Sequence, residues 1–362
     1  MESRDHGSCS LSGRTHRGEK LMSSILIITN DHDEHADAVI RELDKRGVSV
    51  LRFHPEEFPD AASVSIEIHD GRIEGEVRNA EHGVALDEIC AAWYRRARNL
   101  FEGRRLSLTS ERLDNYVKAQ SNATLVALCE NLQTLWVGHP QKLRRAEVKA
   151  LQLAEASKAG LTTPHTLISN DPGRVSAFVD ALGDAECAIK PLMALGVTDE
   201  DGYRLPLTTT LPAGHSLESV ALAPSIFQPY VEKAFELRCV VIGDRIFCAK
   251  LDSQASETTR TDWRAGAPKH EIFALPEHVE AALRRLMNSF ELNFASLDMI
   301  VTPEGEFVFL ELNPNGQWLW LELELGLPLV ASMADLLMSN HPRAGGPTEG
   351  QGVSRREVAH AS

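Results

Sequence analysis

Residues 296–316 read SLDMIVTPEGEFVFLELNPNG. Two apolar runs flank a Pro-Glu-Gly-Glu turn, the pattern of a β-hairpin. With Thr302 opposite Phe307, Asp298 falls opposite Glu311. Asn313 then shares the face of Glu311, because side chains alternate along a strand. Opposed residues have Cβ atoms about 5 Å apart. Two carboxylates that close repel each other, and a cation between them removes the repulsion. Two carboxylates plus an amide oxygen are hard donors. They suit Mg²⁺, which keeps its other positions for water and phosphate oxygens. Glu311 could instead face solvent, but it lies in Phe307-Val308-Phe309-Leu310-Glu311-Leu312, a run otherwise apolar.

Working outward, Lys190 lies in the short apolar strand CAIKPL (187–192). A lysine there must meet an anion or snorkel to water; beside a nucleotide phosphate it would act as a point charge. Lys149 sits in a segment expected as one helix over 141–159, where on its own it reads as a solvated helix lysine. Glu236 and Arg238 share one face of the strand ELRCVVIG (236–243), turned by Gly243-Asp244 onto RIFCAKL (245–251). The arginine could clamp a transferring phosphoryl or acyl-phosphate group, or pair with its neighbour on the strand.

The N-terminal part alternates strand and helix: ILIIT (25–29), a helix over 34–46 closed by Gly47, VSVLRF (48–53), a hairpin over 65–77 with Asp70-Gly71 as its turn, AAWYRR (91–96), and a helix near 111–130. This is an α/β domain of open-sheet type. The divisions expected are a disordered extension at 1–22, an N-terminal α/β domain at 23–137, a central unit at 138–216, a C-terminal, mostly strand unit at 217–340, and a disordered tail at 341–362. Met22 stands directly before the first strand, so a start codon assigned too early would account for the extension.

The 362 residues carry 37 basic and 52 acidic side chains, a net charge of −15. That balance argues against a nucleic-acid binder, which needs a basic surface, and against an anionic membrane. No apolar run is long enough to span a bilayer, and no secretory signal opens the chain. The six cysteines form no CxxC pair and read as buried thiols. There is no GxxxxGK[ST] loop, no GxGxxG after the first strand and no GxSxG elbow. Asp31-His32-Asp33-Glu34-His35 has the composition of a metal cluster, but acidic residues at a helix start are common caps.

In order, Lys149, Ile189-Lys190-Pro191, Gln228-Pro229-Tyr230-Val231, Glu236-Leu237-Arg238, Asp298 and Glu311-Leu312-Asn313-Pro314 resemble the ATP-grasp superfamily. Within it, the chain resembles the peptide-modifying ligases that make microviridins and related graspetides. Residues 92–96 (AWYRR), 252–256 (DSQAS), 261–264 (TDWR) and 313–320 (NPNGQWLW) carry that closer resemblance, which spans about 25–338.

The resemblance implies an ATP-grasp fold with a lid-bearing central domain and the cofactors ATP and Mg²⁺. Lys149 and Lys190 would contact ATP phosphates, and Gln228, Pro229, Tyr230 and Val231 would read adenine. The family often holds the ribose with an acidic residue at the head of the hinge. Gln228 stands there instead, leaving Glu232 and Glu236 as candidates. Gly196 would belong to the lid. Arg238 would stabilise the acyl-phosphate transition state, and Asp298, Glu311 and Asn313 would bind Mg²⁺. Arg264 and the 252–256 segment, Ser253 included, would lie near the acceptor.

The implied activity is ATP-dependent activation of Asp/Glu side chains in a ribosomal precursor peptide. These are then coupled to a Ser/Thr hydroxyl or Lys amine, giving macrolactone or macrolactam rings. The partner would be a precursor with a leader segment, the setting cytoplasmic, and the assembly a homodimer, with no nucleic acid and no membrane. An amino-acid ligase adding free residues such as glutamate, or a non-catalytic ATP-binding regulator, would share the same ATP and Mg²⁺ residues.

Overall fold

The apolar run at 25–28 lies inside a four-stranded parallel sheet. A computed structural model of the chain, which describes residues 23–95, 110–193, 196–199, 202–204, 207–211 and 216–341, orders its strands Ser49–Phe53, Ser24–Ile28, Ile89–Tyr94 and Leu135–Val137. Apart from His341, the tails expected to be disordered lie outside the described residues, as does Arg96. Alternation along Ser24–Ile28 sends Ile25 and Ile27 to one face and Leu26 and Ile28 to the other. The first pair packs with Val39 and Leu43 of helix Glu34–Lys45, the second with Leu128 and Cys129 of helix Glu111–Asn131. The hairpin expected at 65–77 is Ser63–His69 paired with Arg72–Arg78. Asp70 and Gly71 in its turn both have positive φ, 49° and 74°, as a type I′ turn requires.

A second, antiparallel sheet has the order Thr209–Thr210, Cys187–Lys190, Ser225–Pro229, Leu167–Ser169. Helix Pro172–Ala181 covers it through Val175 and Phe178. The third sheet is antiparallel and has five strands: His270–Ile272, Arg245–Leu251, Phe235–Ile242, Phe294–Val301 and Phe307–Asn313. One of its faces packs Leu237, Cys239, Met299, Phe309 and Leu312 under helices Lys149–Lys158 and Glu277–Ser289. Burying a side chain such as Phe309 or Leu312 contributes about 1.5–3 kcal/mol each. The other face is divided along the strands. Val240, Ile242, Ala249 and Phe294 join Trp318, Met333 and Leu337 beside the parallel sheet. Glu236, Arg238, Asp298 and Glu311 stand at the polar end. Among the described residues, no helix is long and apolar enough to cross a membrane.

Two expectations are corrected. The segment 141–159 is not one helix but two, Pro140–Ala146 and Lys149–Lys158, with Val148 extended between them at φ −74°, ψ 102°. Lys149 therefore opens the second helix and does not sit mid-helix. Gln152 bridges the break: its Nε2 donates to Ala146 O at 2.6 Å and Leu312 O at 2.8 Å, and its Oε1 accepts from Leu312 N at 3.0 Å. Leu143, Ala146 and Ala156 of both helices share one core, so the apolar pattern runs through the break undisturbed.

The second correction concerns the hairpin register. Asp298 does face Glu311, but at the turn Phe307 pairs with Val301 and not with Thr302. A bulge after Asp298 absorbs the extra residue, Leu310, and a bulge of this kind re-aims the side chains beside it. Phe309 and Leu312 both stay on the core side, so Glu311 is left on the face of Asp298.

Candidate active site

The polar end of the third sheet forms one wall of a cavity of about 440 Å³. The second sheet and the start of helix Lys149–Lys158 form the rest. Lys149, Lys190, Gln228, Pro229, Tyr230, Val231, Glu236, Arg264, Asp298, Glu311 and Asn313, all expected at the site, line it. Arg238 and Ser253 do not. Arg238 lies beneath Asp298, and Ser253 is fully buried behind the 253–259 turn, where Thr259 Oγ1 donates to its carbonyl at 2.7 Å. Glu232 and Gly196 also lie outside the lining.

The metal-ligand candidates arrive in register. Asp298 and Glu311 are paired residues of adjacent strands, and Asn313 Nδ2 donates to Glu311 Oε1 at 2.7 Å. Each carboxylate has its own cation. Arg238 Nη1 donates to both oxygens of Asp298 at 2.8 Å, and Lys149 Nζ donates to Glu311 Oε2 at 2.6 Å. The two titrate in opposite directions. Burial raises Asp298, with the Glu311 carboxylate adding to it, and Arg238 recovers only part. Burial would raise Glu311 too, but Lys149 and the Asn313 amide outweigh it and hold the carboxyl at about 2. Two oxygen-donor carboxylates beside an amide fit Mg²⁺ and leave positions for phosphate oxygens. Residues 31–35 form no such centre: among the described residues, no group of three or more His, Cys, Asp or Glu could hold a metal ion.

Lys190 ends strand Cys187–Lys190 and reaches into the cavity. Among the described residues, no acceptor takes a hydrogen bond from it. Burial lowers its pKa, with Glu311 working the other way. A desolvated ammonium group without an acceptor is a place prepared for an anion. Along the hinge, Gln228 is buried and spends its amide on Thr166 Oγ1 at 2.8 Å, while Tyr230 N–H is taken by Glu186 O at 2.7 Å. The Val231 N–H makes no hydrogen bond among the described residues, which leaves it able to reach an adenine edge.

Two residues were given no role in the sequence, Lys233 and, within the 261–264 stretch, Asp262. Lys233 is buried and donates to Glu236 Oε1 at 2.7 Å and Thr261 O at 3.2 Å. Burial raises Glu236, and Lys233 counters it. A lysine three residues before a strand glutamate was the available signal. Asp262 caps the turn Trp263–Ala265 and holds Arg264 through Nε at 2.8 Å and Nη2 at 2.6 Å. The pair lowers Asp262 against the effect of its burial and raises Arg264.

The family description "MvdD pre-ATP grasp domain" matches residues 24–144. A RiPP-associated ATP-grasp ligase from Chryseobacterium gregarium, solved with ADP and a leader and core peptide, superposes with a TM-score of 0.81 at 29% identity, over 89% of this chain and 98% of that one. Over nearly its whole length the chain is similar to ATP-grasp ligases. Among other relatives, the macrocyclase MdnC from Microcystis aeruginosa MRC, solved with precursor peptide MdnA, superposes on this ligase with a TM-score of 0.76 at 27% identity, over 87% of this chain and 99% of that one. A probable alpha-L-glutamate ligase of Shewanella denitrificans is 26% identical over 213 residues, covering 58% of this ligase and 68% of its own length.

Proposed function

We propose that this ligase closes rings in a ribosomal precursor peptide. The full-length likeness carries the reading: the peptide-bound ligase covers 89% of the chain, N-terminal sheet included, whereas the glutamate ligase covers 58%. ATP would lie between the 138–216 and 217–340 units, its adenine against residues 229–231 and its phosphates against Lys149 and Lys190. Asp298, Glu311 and Asn313 would hold Mg²⁺, which supplies charge neutralisation at the phosphate oxygens.

An Asp or Glu side chain of the peptide, placed by Arg264, attacks the γ-phosphorus, and the bond to the β-phosphate oxygen breaks. ADP leaves and an acyl phosphate remains. A Ser/Thr hydroxyl or Lys amine of the same peptide then attacks the acyl carbon, phosphate leaves, and the nucleophile gives up its proton. The chain supplies position and fixed charge, and needs no nucleophile of its own. We assign Arg238 to holding Asp298, since both of its terminal nitrogens are engaged there and at Gln317 O. The setting is the cytoplasm, where ATP and a newly made leader-bearing peptide meet.

The test is intact-mass spectrometry of the short peptides encoded beside this gene, with and without enzyme and MgATP. Loss of one water mass per ring supports the reading. A gain of amino-acid residue masses would instead make the chain a free-residue ligase, as the Shewanella relative is named. Unchanged masses with every candidate peptide would refute both.

A further inference from the structure

Of the acidic and histidine residues at 31–35, Asp33 and His35 are buried and make contacts of their own. Asp33 is 2% exposed and follows the first strand of the parallel sheet. Its carboxylate accepts from Thr29 Oγ1 at 2.8 Å, from His35 N at 3.1 Å and from Arg95 Nε at 3.1 Å. Arg95 is fully buried at the end of strand Ile89–Tyr94, where its N–H donates to Ile28 O at 2.9 Å. Arg95 and His35 reach across to the chain just beyond Asn313. Arg95 Nη1 donates to Gly316 O at 3.4 Å, and His35 Nε2 accepts from Trp318 N and Leu319 N, both at 3.1 Å.

Those two N–H groups open helix Leu319–Leu325 and have no partner within it. A ring nitrogen can accept only without its proton, so the His35 proton sits on Nδ1, 3.7 Å from Asp33 Oδ1. The ring also stands edge-on to Trp318 at 5.0 Å. From the opposite side, Arg238 Nη2 donates to Gln317 O at 2.9 Å. Gly316 is pressed so close to the sheet that a Cβ would lie 2.5 Å from Ser296 Cβ. Gly316 N in turn donates to Asn313 O at 3.1 Å.

We propose that Asp33, His35 and Arg95 are positioning residues of the metal site: from the parallel sheet they fix the backbone of 316–319, and through it the places of Asn313 and of the Arg238 guanidinium on which Asp298 rests. The inference relies on assigning Asp298, Glu311 and Asn313 to a divalent cation. It gives the N-terminal sheet a part in the chemistry without contact to any reacting group. Outer contacts of this kind alter metal affinity by about 10- to 100-fold when removed.

The decisive variant is His35→Phe, which keeps a ring against Trp318 and removes the acceptor. Mn²⁺ titrated into the full chain with a non-hydrolysable ATP analogue, followed by electron paramagnetic resonance of the free ion, reads affinity without turnover. The expected result is at least a tenfold weaker Mn²⁺ site, largely restored in His35→Gln, whose amide oxygen replaces the acceptor. Analogue binding in the absence of metal should be unchanged. Mn²⁺ affinity equal to wild type in a folded His35→Phe overturns the proposal. If wild type itself takes up no Mn²⁺ with the analogue, the metal and nucleotide assignment falls first and the positioning role with it. If His35→Phe does not fold, ¹⁵N-imidazole spectra of the wild-type protein decide: a proton on Nδ1 of His35 is expected, and a proton on Nε2 refutes the contact.

Discussion

Replacing Arg238 by Gln tests the assignment of this arginine most sharply. Its side chain is 6% exposed, that of Asp298 14%, and three hydrogen bonds join it to Asp298 and Gln317. Removing one member of a buried ion pair costs about 3–5 kcal/mol, because the other charge is left without compensation. At about 2–4 °C per kcal/mol, the melting temperature should fall by roughly 6–20 °C.

Asp298 has an escape, which is to take up a proton. Burial and Glu311 already raise its pKa, and without Arg238 it climbs further. A carboxyl that is protonated near neutral pH must release that proton to hold a divalent cation. In Arg238→Gln, the Mg²⁺ concentration for half-maximal ADP formation should therefore drop as pH rises from 6 to 8. The dependence approaches tenfold per pH unit while Asp298 is mostly protonated. In wild type the dependence should be weaker, because Arg238 opposes protonation of Asp298. Arg238→Lys keeps the charge, loses the fork, and should fall between the two. The assays are thermal unfolding and Mg²⁺-dependent ADP release at pH 6, 7 and 8. A variant that melts within 1 °C of wild type, with unchanged Mg²⁺ dependence and a large loss of turnover, would refute the supporting role. Arg238 would then act on the reacting groups themselves.

Two further predictions concern the cavity charges. Glu311→Gln should lower the rate of ADP formation by at least about 100-fold with the fold retained. The Glu311 pKa is lowered to about 2 from 4.5, so its stabilising pair with Lys149 is fully present above pH 4.5 and is lost as pH falls toward 2. Acid unfolding of the variant should lack that component; an identical acid limb would contradict the pairing. Lys190→Met should raise the KM for ATP by about 10- to 100-fold, the worth of one charged hydrogen bond. Since the lost ammonium group is desolvated and has no acceptor among the described residues, the melting temperature should not fall. A destabilised variant with normal KM would place Lys190 in the scaffold.

Much of this was legible in the residues because the site is built on strands. A period of two puts Asp298, Glu311 and Asn313 on one face once the turn at 303–306 is recognised. The bulge at Leu310 was not legible. An error of one residue at the turn was cancelled by the bulge, so the pairing of Asp298 with Glu311 was reached through a register that holds only at the far end. The break at 147–148 was hidden because both helices feed one core, and what marks it is the reach of Gln152 to Leu312, 160 residues away. His35 and Arg95 were misread or given no role because their partners lie on distant elements, whereas Lys233 and Asp262 pair within three residues and carried a local signal. Local patterning records which face a side chain is on, not what stands opposite it.

The charges of the site explain why it can be assembled before any ligand arrives. Asp298, Glu311, Glu236 and Asp262 would be mutually repulsive if left bare. Each is matched with one cation, namely Arg238, Lys149, Lys233 and Arg264 respectively. Lys190 is the fifth cation and has no acceptor among the described residues. The pairs are not equally committed. Arg238 and Lys233 are buried with their partners and are held by further carbonyls at Gln317 and Thr261. Among the described residues Lys149 has only the Glu311 carboxylate as a hydrogen-bond partner, and it keeps 20% exposure at the first turn of its helix. It is the cation that can change partners. Were Glu311 to take a divalent cation, Lys149 would be freed at the cavity that Lys190 also lines, and two ammonium groups would face the same space. A polyphosphate entering with its metal thus replaces an internal ion pair and loses little of what it gains to desolvation, which is the arrangement a preorganised site requires.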